Sequence, residues 1–103
     1  MDRISKLKEL LVVNPNDSFA QHALALEYIK AGDDAEAHKQ FEELLQREPS
    51  YVGSYYHLGK LLERINETEL AIQCYEKGMA QAKKAGDEKA FGELRGVYEE
   101  LTF

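Results

Sequence analysis

Apolar residues recur at helical spacing along most of the chain, and clusters of Gly, Pro, Asn and Asp cut it into six segments. Residues 2–13 carry Ile4, Leu7, Leu10 and Leu11, then stop at Asn14-Pro15. In SFAQHALALEYIKAGD, Ala20, Leu24, Tyr28 and Ala31 fall about one turn apart, which predicts a helix. Gly32 can take the left-handed closing conformation, and Asp33 can cap the next start. The following stripe is Ala37, Phe41, Leu44 and Leu45; Pro49 cannot continue a helix, so this one ends near Glu48. Tyr55, Leu58, Leu62 and Ile65 mark a fourth helix, closed at Asn66, a residue tolerant of positive φ. A fifth begins near Thr68, holds Ala71, Tyr75 and Met79, and meets no proline before Ala85-Gly86-Asp87. Residues 87–102 carry Phe91, Leu94, Tyr98 and Leu101. The pattern predicts six helices and no strands.

Two of these blocks are copies of one another. Leu24 recurs as Leu58, Ala25 as Gly59, Tyr28 as Leu62, Ala37 as Ala71, Phe41 as Tyr75 and Pro15 as Pro49, each pair 34 residues apart. A fixed period in the range of roughly 20–50 residues predicts a stacked-repeat architecture. The residues at these positions resemble the tetratricopeptide repeat (TPR) family, whose signature is W-x2-L-G-x2-Y, A-x3-F and P. One unit reads Gln21-x2-Leu24-Ala25-x2-Tyr28, Ala37-x3-Phe41, Pro49; the next reads Tyr55-x2-Leu58-Gly59-x2-Leu62, Ala71-x3-Tyr75, then Lys83. Gln21 departs from the large apolar residue and Lys83 from the proline. The match covers about two-thirds of the chain.

The resemblance implies an all-α, right-handed superhelical stack of antiparallel helix pairs. We expect one TPR domain over residues 1–103: a half-repeat helix at 2–13, complete units at 18–51 and 52–85, and a capping helix at 87–102. The small residues Ala25 with Ala37, and Gly59 with Ala71, would let paired helices cross closely. In the last helix that slot holds Arg95, which predicts a true end of the array there. The expected core is Leu24, Tyr28, Ala37, Phe41, Leu44, Leu58, Leu62, Ala71, Tyr75, Leu94 and Tyr98, joined by Leu7, Leu11 and Phe91.

The resemblance also implies an interaction module whose first helices line a concave groove. By register, that groove is offered Phe19, His22, Ala23 and Leu26, then Gly53, Tyr56, His57, Lys60 and Arg64, then Lys89, Gly92, Glu93 and Gly96. An apolar, aromatic centre with basic residues at its edge suits a segment carrying an apolar anchor and a carboxylate; Tyr and Arg are enriched at binding hot spots. A subclass that clamps chaperone C-termini uses lysine and asparagine at set groove positions, where this chain has His22, Leu26 and His57. Gly92 and Gly96 leave a bare stripe; helix glycines most often have a packing reason, so Tyr56 and its neighbours are expected to fill it. The other reading is close approach by a second chain or a bound helix.

Composition narrows the function further. With 44% apolar and 31% charged residues and two prolines, the 103-residue chain is an ordered globule. Nineteen acidic against thirteen basic residues give a net charge of −6, which predicts no nucleic-acid partner and no anionic membrane surface. No apolar run approaches the ~20 residues of a membrane span, the first fifteen residues lack a signal-peptide apolar block, and the single Cys74 fits a reducing compartment; a soluble cytoplasmic protein is expected. His22 and His57 could face the groove together, but no third ligand stands at suitable spacing, so neither a metal nor a cofactor is expected. Phosphate loops and nucleophile elbows are absent. We therefore expect no enzyme but a protein- or peptide-binding adaptor. Self-association as a homodimeric scaffold is the alternative, and a metal protein using His22 and His57 the remote one.

Overall fold

The computed structural model describes residues 2–103, and among them the helices are α1 (Arg3–Val13), α2 (Ser18–Lys30), α3 (Asp34–Arg47), α4 (Gly53–Arg64), α5 (Thr68–Ala85) and α6 (Glu88–Thr102), with no strand. Four helices start on an aspartate whose carboxylate accepts a backbone N–H three residues on: Asp2 from Ser5 (2.8 Å), Asp17 from Ala20 (3.0 Å), Asp33 from Glu36 (3.2 Å) and Asp87 from Ala90 (3.0 Å). Each satisfies one of the donors that a helix start leaves unpaired, worth about 1 kcal/mol.

Three connections close in the same way. Gly32 (φ 80), Asn66 (φ 64) and Gly86 (φ 71) adopt the left-handed conformation. The next residue's N–H then reaches back to a carbonyl five positions earlier: Asp33 to Tyr28, Glu67 to Leu62 and Asp87 to Ala82. This closure uses otherwise orphaned carbonyls and turns the chain sharply into the following helix. Asn66 and Gly32 are one repeat apart, so one turn geometry serves both repeats.

The chain divides into two compact units, one running to Glu48 and one spanning Pro49–Phe103. In the first, α2 packs against both α1 and α3, which do not pack on each other. Its core holds Leu7, Leu24, Ala25, Tyr28, Ala37, Phe41 and Leu44. Ala25 and Ala37 are fully buried, as a close helix crossing requires. In the second unit α5 packs on α4 and α6, and α4 also touches α6. The ring of Tyr75 occupies the space that a side chain at Gly59 would need, and a methyl at Gly78 would stand 2.6 Å from Tyr55 Cβ and 2.9 Å from Leu94 Cδ1. Two glycines thus bring α4, α5 and α6 into contact.

Three expected core residues are less covered than predicted. Leu11, Phe91 and Tyr98 are half-buried, and Val97 is buried in their stead. Alpha6 is covered on one side only, so its stripe is narrow and runs through Leu94 and Val97. Tyr98 lies at its margin and sends its hydroxyl to Glu76 (3.2 Å). Leu61, Tyr55 and Ala82 join the core as well. No helix of the described residues is long and apolar enough to cross a membrane.

Candidate functional site

In the second unit, α4 touches α6, and each helix carries part of the expected surface. Tyr56 and His57 are half-buried on α4, with ring centroids 5.8 Å apart and edge to face. Burial holds the His57 imidazole below its usual pKa, favouring the neutral ring. One turn on, Lys60 is exposed and reaches Glu63 at 3.8 Å, and Arg64 is exposed beyond it. On α6, Lys89, Gly92 and Gly96 are all exposed. A methyl built on Gly92, Gly96 or Gly53 would meet nothing within 4 Å. This corrects the expectation that Tyr56 and its neighbours fill the glycine stripe: the stripe is open.

Glu63 links this face to the core. Glu63 accepts a hydrogen bond from the buried Tyr75 hydroxyl, whose pKa is pushed far up by burial and then by that carboxylate. Glu63 is thereby tied to both Lys60 and the core. Cys74 is buried and donates to the Tyr55 carbonyl (3.4 Å), the position of a packing residue rather than a nucleophile.

In the first unit, α2 carries Phe19, His22, Ala23 and Leu26. Phe19 is 71% exposed, whereas Ala23 is only 8% exposed and offers almost no surface, contrary to expectation. Leu26 is half-buried. His22 is half-buried and lies edge-on to Phe41, with centroids 5.9 Å apart. Among the described residues no group of three His, Cys, Asp or Glu side chains could hold a metal ion.

A polar network in this unit was not foreseen. Gln21 is 5% exposed. Its amide donates to Gln40 Oε1 (3.1 Å) and Glu43 Oε2 (3.4 Å), and its carbonyl accepts from Arg47 Nη1 (2.7 Å). Arg47 Nη2 also donates to Ser18, whose hydroxyl donates to Glu48. The signal was present in the sequence as an amide where the repeat calls for a large apolar residue; its three partners lie on another helix and could not be paired from spacing.

A tetratricopeptide repeat model matches residues 52–84. The crystal structure of a tetratricopeptide repeat domain protein from Salinibacter ruber is 41% identical, covering 84% of this chain and 96% of that one, with a TM-score of 0.80. The chain belongs to the tetratricopeptide repeat family. TPR proteins are generally non-enzymatic modules for protein–protein interaction. A TPR repeat-containing protein of Pseudomonas aeruginosa is 26% identical over 91 residues, 88% of this chain and 87% of that protein. The TPR2B domain of yeast Sti1, solved as a complex with a pHsp70, shares the TPR fold at a TM-score of 0.88 but is 14% identical; the alignment covers 96% of this chain and 79% of that one.

Proposed function

We propose that this TPR protein is an adaptor that binds a peptide or partner helix across the face formed by α4 and α6. The observation that supports the reading is the open Gly92/Gly96 stripe on α6, a helix that touches the one carrying Tyr56, Lys60 and Arg64. Glycine inside a helix costs roughly 1 kcal/mol relative to alanine, and here no intramolecular neighbour takes up the space it leaves. Two such positions one turn apart let another backbone approach closely. Tyr56 supplies a half-buried aromatic anchor, and the exposed Lys60 and Arg64 supply cations for a carboxylate on the partner. Within the first unit, Phe19, His22 and Leu26 are read as partner-binding residues of α2 on their own.

Capture from native lysate tests this, with wild type and a Tyr56→Ala, Lys60→Glu variant of matching helicity and unfolding midpoint. A partner held by wild type and lost by the variant supports the reading. Identical proteins captured by both would sink it. The same glycine stripe favours self-association as the second reading, in which case the retained partner is the chain itself and light scattering rises with concentration.

A further inference from the structure

We propose that the uncovered flank of α1 is a second docking site, fitted to a partner helix that runs antiparallel to α1 and carries an apolar residue followed, one and two turns later, by carboxylates. The repeat defines that flank. Helix α1 ends as α3 ends, one period earlier. Asn14 (φ −135, ψ 83) and Glu48 (φ −135, ψ 79) close the two helices, and each donates its N–H to the carbonyl four residues back, Leu10 and Leu44. Helix α1 is therefore in register as the second helix of a unit.

In both complete units the helix before covers this flank of the second helix. On α3, Ala37 and Leu44 are fully buried, Gln40 accepts from Gln21 of α2, and Arg47 donates to Gln21 and Ser18. On α5, Tyr55 of α4 stands against Gly78, and Cys74 donates to the Tyr55 carbonyl. One period before Ala37, Gln40, Leu44 and Arg47 stand Arg3, Lys6, Leu10 and Val13. All four are exposed, Leu10 by 55% and Val13 by 86%, and among the described residues α1 packs on α2 alone. Two aliphatic side chains thus lie in water where the repeat places a helix–helix contact.

Charge selects the rest of the occupant. In the second unit Gly59 and Glu63, one and two turns past Tyr55, both stand against Tyr75, whose counterpart two periods earlier is Leu7. Carboxylates at those two positions of an incoming helix reach Arg3 and Lys6, which flank Leu7. Arg3 Nε donates to Glu27 at 3.2 Å, and a guanidinium has five N–H donors, so Arg3 keeps donors for a second carboxylate. Lys8 turns away from the flank, its ammonium 5.9 Å from the Tyr28 ring centroid. Glu9, the one acidic residue of α1, falls off the flank by helical register.

The test titrates the full chain with the helical peptide acetyl-LAALAQAEAQAEQAAQ-amide, whose leucines and glutamates share one face. It follows NMR shifts of the Leu10 and Val13 methyls and the Lys6 amide. One control peptide replaces both glutamates by lysine, the other both leucines by alanine. Saturable shifts at those three residues with the first peptide alone are expected. In Lys6→Glu the acidic peptide should bind roughly tenfold more weakly, the scale of one charge-assisted hydrogen bond, and the lysine peptide should now bind. A merely structural role for Lys6 would not exchange the preference. Leu10→Gln, at an exposed position, should abolish the shifts at Val13 and Lys6. Absent or unsaturable shifts, equal binding of either control, or an unchanged preference in Lys6→Glu would overturn the proposal. Shifts centred on Tyr56 and Gly96 would assign the peptide to the α4–α6 face and overturn it. Shifts at Leu10 and Val13 that grow with protein concentration alone would assign the flank to a second copy and overturn it equally.

Discussion

Tyr75 and Gly59 share one space: a methyl on Gly59 would stand 2.6 Å from Tyr75 Cζ. The ring is fully buried and its hydroxyl is tethered to Glu63, so it has little freedom to retreat. Gly59→Ala is therefore expected to destabilise the protein by about 1–3 kcal/mol, the usual cost of overpacking. Chemical denaturation measures it. The first repeat pairs Ala25 with Phe41 at the same two positions. Adding Tyr75→Phe to Gly59→Ala releases the tether, and the double variant should lose less than the sum of the two single losses. Strict additivity would contradict a shared steric cause.

Gly92 and Gly96 give the opposite sign. Nothing stands within 4 Å of either built Cβ, and neither has positive φ. Gly92→Ala and Gly96→Ala should each stabilise by roughly 0.5–1 kcal/mol, the intrinsic helix preference of alanine. Thermal midpoints that fall instead would mean the stripe is occupied within the fold.

The His57 ring sets a pH dependence. Burial lowers its pKa in the folded chain below the ordinary imidazole value of 6.5. The unfolded chain therefore binds more protons just below pH 6.5, and folding free energy falls as pH drops through that value towards the depressed one. Denaturation midpoints measured over this window should decline in wild type and decline less in His57→Gln. Equal slopes in the two proteins would assign the effect elsewhere.

Asp33 starts α3 by accepting from the Glu36 N–H at 3.2 Å. Asp33→Ala should cost about 1 kcal/mol, and Asp33→Ser much less, because the serine hydroxyl can accept the same bond. Helicity and urea midpoints check both.

Local signals carried most of the fold. Gly32, Asn66 and Gly86 ended helices where turn chemistry placed them, and α5 ran to Ala85 because Lys83 cannot stop a helix as proline does. The close crossing at Gly59 followed from its register with Ala25. What escaped was set by partners distant in sequence. Gly78 was not singled out, although its missing side chain admits Tyr55 and Leu94. Gln21 departs from the repeat, but its bonds to Gln40, Glu43 and Arg47 exist only once α2 and α3 are packed. For the candidate site, helical register named Tyr56, Lys60, Gly92 and Gly96. Whether a glycine stripe is filled or bare depends on side-chain reach across helices, which periodicity does not encode.

The most direct measurement is partner capture by a Gly92→Leu, Gly96→Leu variant. A Cβ at either exposed position meets nothing within 4 Å, so the fold should persist with an unfolding midpoint at or above that of wild type. If the α4–α6 face is the working surface, the partner retained by wild type is lost while stability holds. Undiminished capture by this folded variant would contradict that assignment.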